Sequence, residues 1–488
     1  MKKTLSLCIA FLVLSMIPVM AGRKADKEKE RLEKLGLEWL DGHFKDFDAL
    51  QKKIHGFAEV GYKEYQSSEA LAAHLEAQGF TLERGVAGIP TAFVATFGSG
   101  KPVIGLMAEY DALPGMSQDT VSYKCPRTEG APGHGCGHNI LGTAAVAGAE
   151  AIARYLADGH PGTVKLFGCP AEEGGAGKAY MIMGGCFEGT DLVLDWHPAT
   201  GNFVDLSPGL ANVSARFTFL GKPAHAAANP WDGRSALDAV EAFDHMVNLM
   251  REHIPPECRI HYVITHGGDA PNVVPQRAEV FYYFRSPDAE VLRGIIDRAV
   301  KAAEGAALGT GTKMEYELIH GNYERLINHH LAGILHRNLM RVGGLKLDER
   351  EISLLKEIMK SSGTPPEQFE STIEKMTTVV PELLPATPGG ASSDAGSVSQ
   401  VVPLAKLDVA TGLQGLHTWQ MAAVAGSTIG TKSLINVAKT MYLTAVQLYN
   451  SPEDVEAVRQ EYEAARGKDY KFEPLMGWRK PPFDYRDR

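Results

Sequence analysis

Residues 103–111 read VIGLMAEYD, an aliphatic run that ends in two carboxylates. Similar runs occupy residues 163–168, which lead into CPAEE, and residues 191–196, which lead into His197. An apolar run of this length is typical of a strand buried on both faces. An alanine-rich segment of helical period, residues 139–156, lies between the first two runs. This alternation predicts an α/β fold with a mainly parallel sheet covered on both faces.

The side chains that close these predicted strands are acidic or able to bind metal. Asp111, the pair Glu172 and Glu173, and His197 stand at such ends, and His417 follows a later predicted strand. Ligands of parallel sheets gather beyond the carboxyl ends of the strands. Two adjacent carboxylates repel each other when both lose water. One of the pair can bind metal while the other holds a water as general base; a solvated acidic turn is the alternative.

The segment PGHGCGHN, residues 132–139, sets His134, Cys136 and His138 on alternating positions with only glycine between them. In extended backbone, alternate residues point the same way. Thiolate and imidazole are zinc ligands, and a sulfur ligand favours zinc over magnesium or calcium. We therefore expect Cys136 and His138 to bind metal. His134 is either a further ligand or a hydrogen-bonding neighbour, and we favour the second role.

Residues 211–320 have a different pattern, in which alternating apolar residues and helical spacing follow one another. The predicted elements are strands at 213–219, 260–264, 280–284 and 314–318 and helices at 236–250 and 292–303. The order β-α-β-β-α-β is that of a ferredoxin-like α+β unit. We therefore expect a compact module inserted into the larger domain.

Charge and cysteine content exclude two classes of protein. The 488 residues carry a formal net charge of −10, whereas a nucleic-acid-binding protein normally needs a basic face. The six cysteines follow no regular spacing, so the chain is not a disulfide scaffold. A single bridge from Cys125 to Cys169 or Cys186 remains open.

The N-terminus has the three parts of a secretory signal. Lys2 and Lys3 precede an apolar run to Met20, and Ala21 is followed by Gly22. We expect a signal peptide at residues 1–21 and export to the periplasm or the extracellular space, with no membrane contact of the mature form. A retained N-terminal anchor is the alternative.

Several motifs occur together in one order along the chain. They are AEYDALPG at 108–115, GCGH at 135–138, PAEEGG at 170–175, GKPAHAA at 221–227 and NVVP at 272–275. This set resembles the M20 metallopeptidase and amidohydrolase family over nearly the whole mature chain. Longer matches, TEGAPGHGCGHN at 128–139 and SSDAGSVS at 392–399, resemble the branch of that family that acts on aminobenzoyl-glutamate.

The resemblance implies a site for two divalent metal ions, zinc or manganese. The positions that match the family's ligands are Cys136, His138, Glu173, His197 and His417. Glu172 matches the general base, and Asp111 matches the acid that orients a ligand. Glu109 stands where many relatives carry a metal-binding histidine, so its contact with metal is open.

The resemblance also implies a catalytic domain in two parts, residues 23–208 and 321–488, around an inserted dimerisation or lid domain at 211–320. On that domain His225 matches the donor to the oxyanion, in relatives often supplied by the partner subunit. Asn272 and Arg285 are candidates for binding a substrate carboxylate, Arg285 by a bidentate contact. A structural ion pair is the alternative for Arg285.

The expected reaction is hydrolysis of an amide between an acyl or aromatic acid and an amino acid, with p-aminobenzoyl-glutamate as the first choice of substrate. A dipeptidase or another N-acyl-amino-acid hydrolase would share the mechanism. A non-catalytic, metal-stabilised subunit of a hetero-oligomer is the alternative from another class. The expected partner is a second copy of the chain or a related A-type subunit.

Overall fold

The computed structural model describes residues 29–387, 390–412 and 415–486. The predicted signal peptide lies outside the described residues. The strands are β1 (Thr81–Arg84), β2 (Phe93–Ser99), β3 (Val103–Glu109), β4 (Gly162–Cys169), β5 (Leu192–Ala199), β6 (Ala211–Leu220), β7 (Arg259–His266), β8 (Arg277–Ser286), β9 (Lys313–Asn322) and β10 (Leu404–Ala410). They form two sheets.

Helices cover both sheets. They are α1 (29–42), α2 (Phe44–Phe57), α3 (Tyr65–Ala77), α4 (His138–Ala157), α5 (Glu172–Gly175), α6 (Gly177–Met183), α7 (Ala236–Met250), α8 (Ala289–Thr310), α9 (His329–Val342), α10 (Glu349–Ser361), α11 (Phe369–Thr377), α12 (Ala395–Ser399), α13 (Trp419–Ala425), α14 (Thr428–Tyr449) and α15 (Pro452–Arg466).

The larger sheet has the strand order β1-β2-β4-β3-β5-β10. The four strands β4, β3, β5 and β10 are parallel, and Leu106 of β3 faces Leu166 on one side and Leu194 on the other. Strand β2 runs antiparallel to β4 and to β1. The link between β2 and β3 is too short for a helical crossover, which explains the reversed direction of β2. The prediction of a mainly parallel sheet is confirmed.

The two faces of this sheet bury separate cores. Leu106 packs in the core that includes α4 and α14, whereas its neighbour Met107 packs in a core that includes α6. Helix α4 is long and apolar enough to cross a membrane, but 89% of the apolar window is buried inside the protein. Its apolar surface is therefore used against the sheet and α14, as in the central helix of a globular core.

The smaller sheet has the order β7-β8-β6-β9, and all its neighbouring strands are antiparallel. Helices α7 and α8 pack against it and close a core of their own, which includes Phe217, Phe243 and Tyr282. The predicted β-α-β-β-α-β order is confirmed. Strand β7 lies at the edge of this sheet, and Val263 on it is 56% exposed.

Candidate metal centre

The parallel strands bring the predicted ligands to one edge of the larger sheet. Glu109 is the last residue of β3, and Glu172 and Glu173 form the turn that follows β4. His197 lies near the end of β5, and His417 follows β10. Because these strands run in the same direction, their carboxyl ends meet, as the sequence predicted.

Cys136 and His138 enter from the loop before α4. Gly137 has φ +75°, a left-handed conformation that glycine adopts without strain, and α4 begins at the next residue, His138. The loop carrying His417 is tied to the same place, since the His417 amide donates to the Gly135 carbonyl at 2.7 Å. The glycines of this motif therefore allow the close backbone packing that joins the two loops.

The described residues form three overlapping groups of potential metal ligands. They are Cys136 with His138 and His197, Cys136 with Glu173 and His417, and Glu109 with His138 and Glu172. Within each group the ligand atoms lie within 4.8 Å of one another. Cys136 Sγ is 3.6 Å from His197 Nε2, and His417 Nε2 is 3.1 Å from Glu173 Oε1. Cys136 and His138 are each common to two groups, so the three groups form one cluster.

Unpaired buried atoms show that these side chains fit a cation. Glu109 Oε2 and His138 Nε2 are buried 3.3 Å apart, and neither makes a hydrogen bond to the described residues. A buried polar atom without a partner is costly. A cation among these sulfur, nitrogen and oxygen donors would remove that cost, and the set is one that zinc and similar ions accept.

Neighbouring groups orient both imidazole rings toward the cluster. His138 Nδ1 donates to Asp111 Oδ1 at 2.9 Å, and His197 Nδ1 donates to the Pro198 carbonyl at 2.9 Å. In each ring the Nε2 atom is left to accept a metal ion. Asp111 Oδ2 also accepts from the Glu173 amide at 2.9 Å, so one carboxylate positions a histidine and the acidic turn.

Burial determines the protonation states of the candidate ligand side chains when no metal is bound. Burial, aided by the Glu173 carboxylate, raises the pKa of the Cys136 thiol well above its usual range. Burial lowers the pKa of His197 to about 4, so this imidazole is neutral near pH 7. The cysteine must therefore lose a proton when it binds metal, whereas His197 need not.

The turn that carries Glu172 and Glu173 is held in a strained conformation. Ala171 and Ala176, on either side of it, have φ of 56° and 53°, which is unfavourable for a residue with a Cβ atom. Burial, together with the carboxylates of Glu109 and Glu173, raises the pKa of Glu172 well above its ordinary value. A cation at this cluster would favour the ionised form that a general base requires.

A buried lysine next to the cluster was missed by the sequence analysis. Lys178 Nζ lies 2.6 Å from Glu109 Oε1 and 2.5 Å from Asp394 Oδ1, and all three side chains are buried. Glu109 therefore has one oxygen bound to an ammonium and the other turned toward His138. Two features of the sequence could have indicated this pair: a single lysine among the small and apolar residues 174–183, and a single acid in the SSDAGSVS segment.

His134 lies outside the three groups of ligands. Its Nε2 atom is 3.2 Å from the Ile54 carbonyl, and burial lowers its pKa to about 3. This placement agrees with the favoured role of a hydrogen-bonding neighbour. The five cysteines in the described part of the chain are all free, so neither bridge that the sequence left open at Cys125 is formed.

The structure separates the three candidates on the smaller sheet's module. Arg285 of β8 lines a cavity of about 870 Å³ that also contains Cys136 and the Glu172–Glu173 turn. His225 and Asn272 lie in neighbouring exposed loops, where the Ala226 amide donates to the Asn272 carbonyl at 3.0 Å. Within a single chain neither lines that cavity. Within one chain Arg285 and Asn272 therefore do not line one cavity, because Arg285 is near the end of β8 whereas Asn272 lies in the loop before that strand begins.

Arg285 has no acidic partner in the described part of the chain. Its Nη1 donates to Ser392 Oγ at 2.8 Å, and its guanidinium lies 5.6 Å from the centre of the Tyr283 ring. Two other cations of the cavity are paired, since Arg325 lies 3.5 Å from Asp205 and Lys406 lies 2.8 Å from Asp408. The structural ion pair considered for Arg285 is therefore not formed.

Comparison with known proteins agrees with this arrangement. Residues 105–480 match the model of peptidase family M20/M25/M40. The chain is 38% identical to the B-type subunit of the p-aminobenzoyl-glutamate hydrolase of Escherichia coli, over 85% of this chain and 91% of that protein. It is 29% identical to the Xaa-Arg dipeptidase of Mus musculus, over 91% of this chain and 95% of that protein.

A solved structure has the same fold. A dinuclear metal-binding peptidase from the M20 family of Bacillus subtilis superposes with a TM-score of 0.52 and 17% sequence identity, covering 82% of this chain and 98% of that one. The family match extends over far more than half of the 488 residues and includes every candidate ligand. The chain belongs to peptidase family M20/M25/M40 and is a hydrolase that acts on amide bonds.

Proposed function

We propose that this protein is a metal-dependent hydrolase that releases an amino acid from an N-acyl or N-aroyl amide, and that p-aminobenzoyl-glutamate is its substrate. The observation that carries the proposal is a ligand cluster with more carboxylates than a structural site needs, Glu172 among them, in one cavity with Arg285, which has no acidic partner among the described residues. A purely structural metal site has no need of a spare carboxylate. The likeness to the Escherichia coli hydrolase supports the choice of substrate.

The proposed ligands are Cys136, His138, Glu173, His197 and His417, for two divalent ions. Ions of this kind, when bound, polarise a carbonyl group and make a neighbouring water more acidic. The sulfur of Cys136 supports zinc. Manganese is the second candidate, implied by the resemblance to the family. Glu109 stays outside this set of five; Lys178 binds its Oε1 atom, whereas its Oε2 atom faces His138 and is available to a cation.

Each remaining side chain has a task in this proposal. Glu172 accepts a proton from the attacking water and delivers it to the leaving amine nitrogen. Asp111 keeps the His138 ring in the orientation that turns Nε2 toward the cluster. Arg285, which pairs with no carboxylate of the described residues, binds the α-carboxylate of the substrate and so places the amide bond over the cluster.

We further propose that the working protein is a dimer or a larger assembly. His225 and Asn272 are exposed and lie away from the cavity of their own chain, which supports their delivery to the cavity of a partner. There His225 would donate to the oxyanion that forms at the scissile carbonyl. The exposed apolar residues of edge strand β7, among them Val263, support a contact there. A second copy is the proposed partner, and a related A-type subunit is the other candidate.

The proposal includes export, for which the N-terminal residues 1–21 are the support. The Xaa-Arg dipeptidase relative provides a second candidate reaction, hydrolysis of a dipeptide by the same groups. The first candidate is favoured by the higher sequence identity, 38% against 29%.

The substitution Glu172→Gln tests the function directly. Release of glutamate from p-aminobenzoyl-glutamate, measured with added zinc or manganese, is expected to fall by about 10²- to 10⁴-fold. Bound metal, measured by elemental analysis, is expected to persist, because Glu172 is outside the proposed ligand set. Equal turnover by the variant and the parent protein would exclude Glu172 as the base. A metal-loaded parent protein that cleaves no amide would support the non-catalytic subunit instead.

A further inference from the structure

Residues 483–486 pack against the acidic turn of the metal centre. Tyr485 Oη donates to the Glu173 carbonyl at 3.0 Å, and its ring packs edge-on against Tyr62 with 5.8 Å between ring centres. Arg486 Nη2 donates to the same Glu173 carbonyl. These residues follow the stretch that matches the family, which ends at residue 480. The segment therefore adds side chains to the site that the family match does not contain.

Arg486 lines the same cavity as Arg285 and the ligand cluster. Its guanidinium lies 4.9 Å from the centre of the Tyr485 ring, and its Nε atom is buried without a hydrogen-bond partner in the described part of the chain. Among the described residues this guanidinium forms no ion pair with a carboxylate, although the charges of Asp111 and Glu173 lie near enough to act on it. A buried donor without a partner costs about 1–3 kcal/mol, which an anionic ligand would recover.

Two of the four cationic side chains in the cavity are thus left for a ligand. Arg325 and Lys406 are paired with Asp205 and Asp408, whereas Arg285 and Arg486 are not paired with any acid among the described residues. The pKa of the buried His320 ring is lowered to about 3, first by burial and then by the charges of Arg285 and Arg486. Both arginines and His320 line the same cavity.

The two guanidinium groups are on different elements. A substrate with two carboxylates can therefore bind both of them better than a substrate with one carboxylate. Arg285 is on β8 of the smaller sheet's module, whereas Arg486 is held at the Glu172–Glu173 turn of the larger sheet. An amino acid with an acidic side chain offers two carboxylates, separated by a few carbon atoms. A neutral side chain would leave one arginine without an anion, and a cationic one would be repelled.

We propose that Arg486 is a specificity-determining residue that binds the side-chain carboxylate of an N-acyl acidic amino acid, while Arg285 binds the α-carboxylate. The inference rests on the proposed amide hydrolysis and names its substrate class. Charge-assisted bonds from a guanidinium to a carboxylate are strong and geometrically specific. The site accordingly prefers an acyl-glutamate to the acyl-glutamine of nearly the same shape.

The test compares two substrates that differ in one charge. We would measure kcat/KM of the full chain for p-aminobenzoyl-glutamate and p-aminobenzoyl-glutamine, in the parent protein and in Arg486→Gln. The preference for the glutamate compound is expected to fall by about tenfold or more in the variant, while kcat/KM for the glutamine compound stays nearly constant. Arg486→Lys keeps the charge and should retain part of the preference. Arg459→Gln is the control, because Arg459 is an exposed residue of α15 paired with Glu456 and Glu463.

A purely structural role of Arg486 at the Glu173 carbonyl would give a different result. It would lower kcat/KM for both substrates by the same factor, and that outcome would overturn the inference. Calorimetric binding of the two compounds separates this inference from the proposed function. If the parent protein cleaves neither compound, the proposed substrate is refuted, yet a selective loss of binding to the glutamate compound in Arg486→Gln would still support the inference. Equal binding of both compounds by the parent protein and the variant would refute it.

Discussion

Asp111 Oδ1 accepts a hydrogen bond from His138 Nδ1 at 2.9 Å, and both side chains are buried at the edge of the larger sheet. The other oxygen of the same carboxylate accepts from the Glu173 amide. One side chain therefore sets the ring orientation of one proposed ligand and the backbone position of another. The geometry of the centre depends on this residue even though it is not in any of the three ligand groups.

Asp111→Asn should weaken metal binding and activity together. The amide removes the negative charge that stabilises the proton on His138 Nδ1, and it can present a donor where an acceptor is needed. Loss of such an orienting partner typically costs 10- to 100-fold in metal affinity or activity. Competition with a chromogenic chelator would measure the affinity, and glutamate release the activity. An unchanged affinity would show that the ring orientation is set by packing alone.

Substitutions at two glycines of α4 test how closely this helix packs on β3. A Cβ atom at Gly142 would lie 2.5 Å from the Glu109 carbonyl oxygen, whereas one at Gly148 would meet its nearest atom, Leu106 Cδ1, at 3.5 Å. Gly142→Ala should therefore destabilise the fold by about 1–3 kcal/mol and displace His138 from Glu109. Gly148→Ala should be neutral or stabilise by up to about 1 kcal/mol.

Urea unfolding of the two glycine variants measures this difference, and chelator competition shows whether the metal centre moves with the helix. Similar free energies of unfolding for both variants would contradict the close approach of α4 to β3.

Lys178→Met should be strongly destabilising. It leaves the buried carboxylates of Glu109 and Asp394 without their cation, and breaking a buried pair in this way costs about 3–5 kcal/mol. Lys52→Met is the control, because Lys52 pairs with Asp48 at the surface and such pairs contribute less than about 1 kcal/mol. Denaturant unfolding of the metal-free proteins compares them. If Lys178→Met lowers the free energy of unfolding no more than Lys52→Met does, then Glu109 and Asp394 are protonated in the folded protein.

Metal affinity should rise with pH near neutrality. The pKa of Cys136 is raised by burial and by Glu173, so the metal-free protein holds the thiol and releases its proton when the thiolate binds. The affinity is then expected to increase about tenfold per pH unit for each proton released. His197 contributes no proton in this range, because its pKa is lowered to about 4.

Calorimetry between pH 6 and pH 8, in two buffers of different ionisation enthalpy, would count the protons released. Cys136→Ser should reduce the count by one. Binding without proton release in the parent protein would exclude Cys136 as a thiolate ligand.

The sequence analysis was most successful where local pattern and chain direction decide the outcome. The runs at 103–108 and 191–196 are parallel strands of one sheet, and the side chains that follow them meet because parallel strands end at one edge. Glycine spacing around Cys136 and His138 likewise predicted that these two side chains reach a common point. These features depend on residues close together in the sequence, where spacing alone restricts geometry.

The sequence by itself thus determined the mainly parallel sheet, the ferredoxin-like order of residues 211–320 and the residue types available to a metal. Only the tertiary structure decided that Lys178 binds both Glu109 and Asp394, that Arg285 has no acidic partner among the described residues while Asn272 lies elsewhere, and that Arg486 reaches the site. Such contacts join residues tens to hundreds of positions apart. Long-range packing and burial create them, and neither leaves a periodic signal in the local sequence.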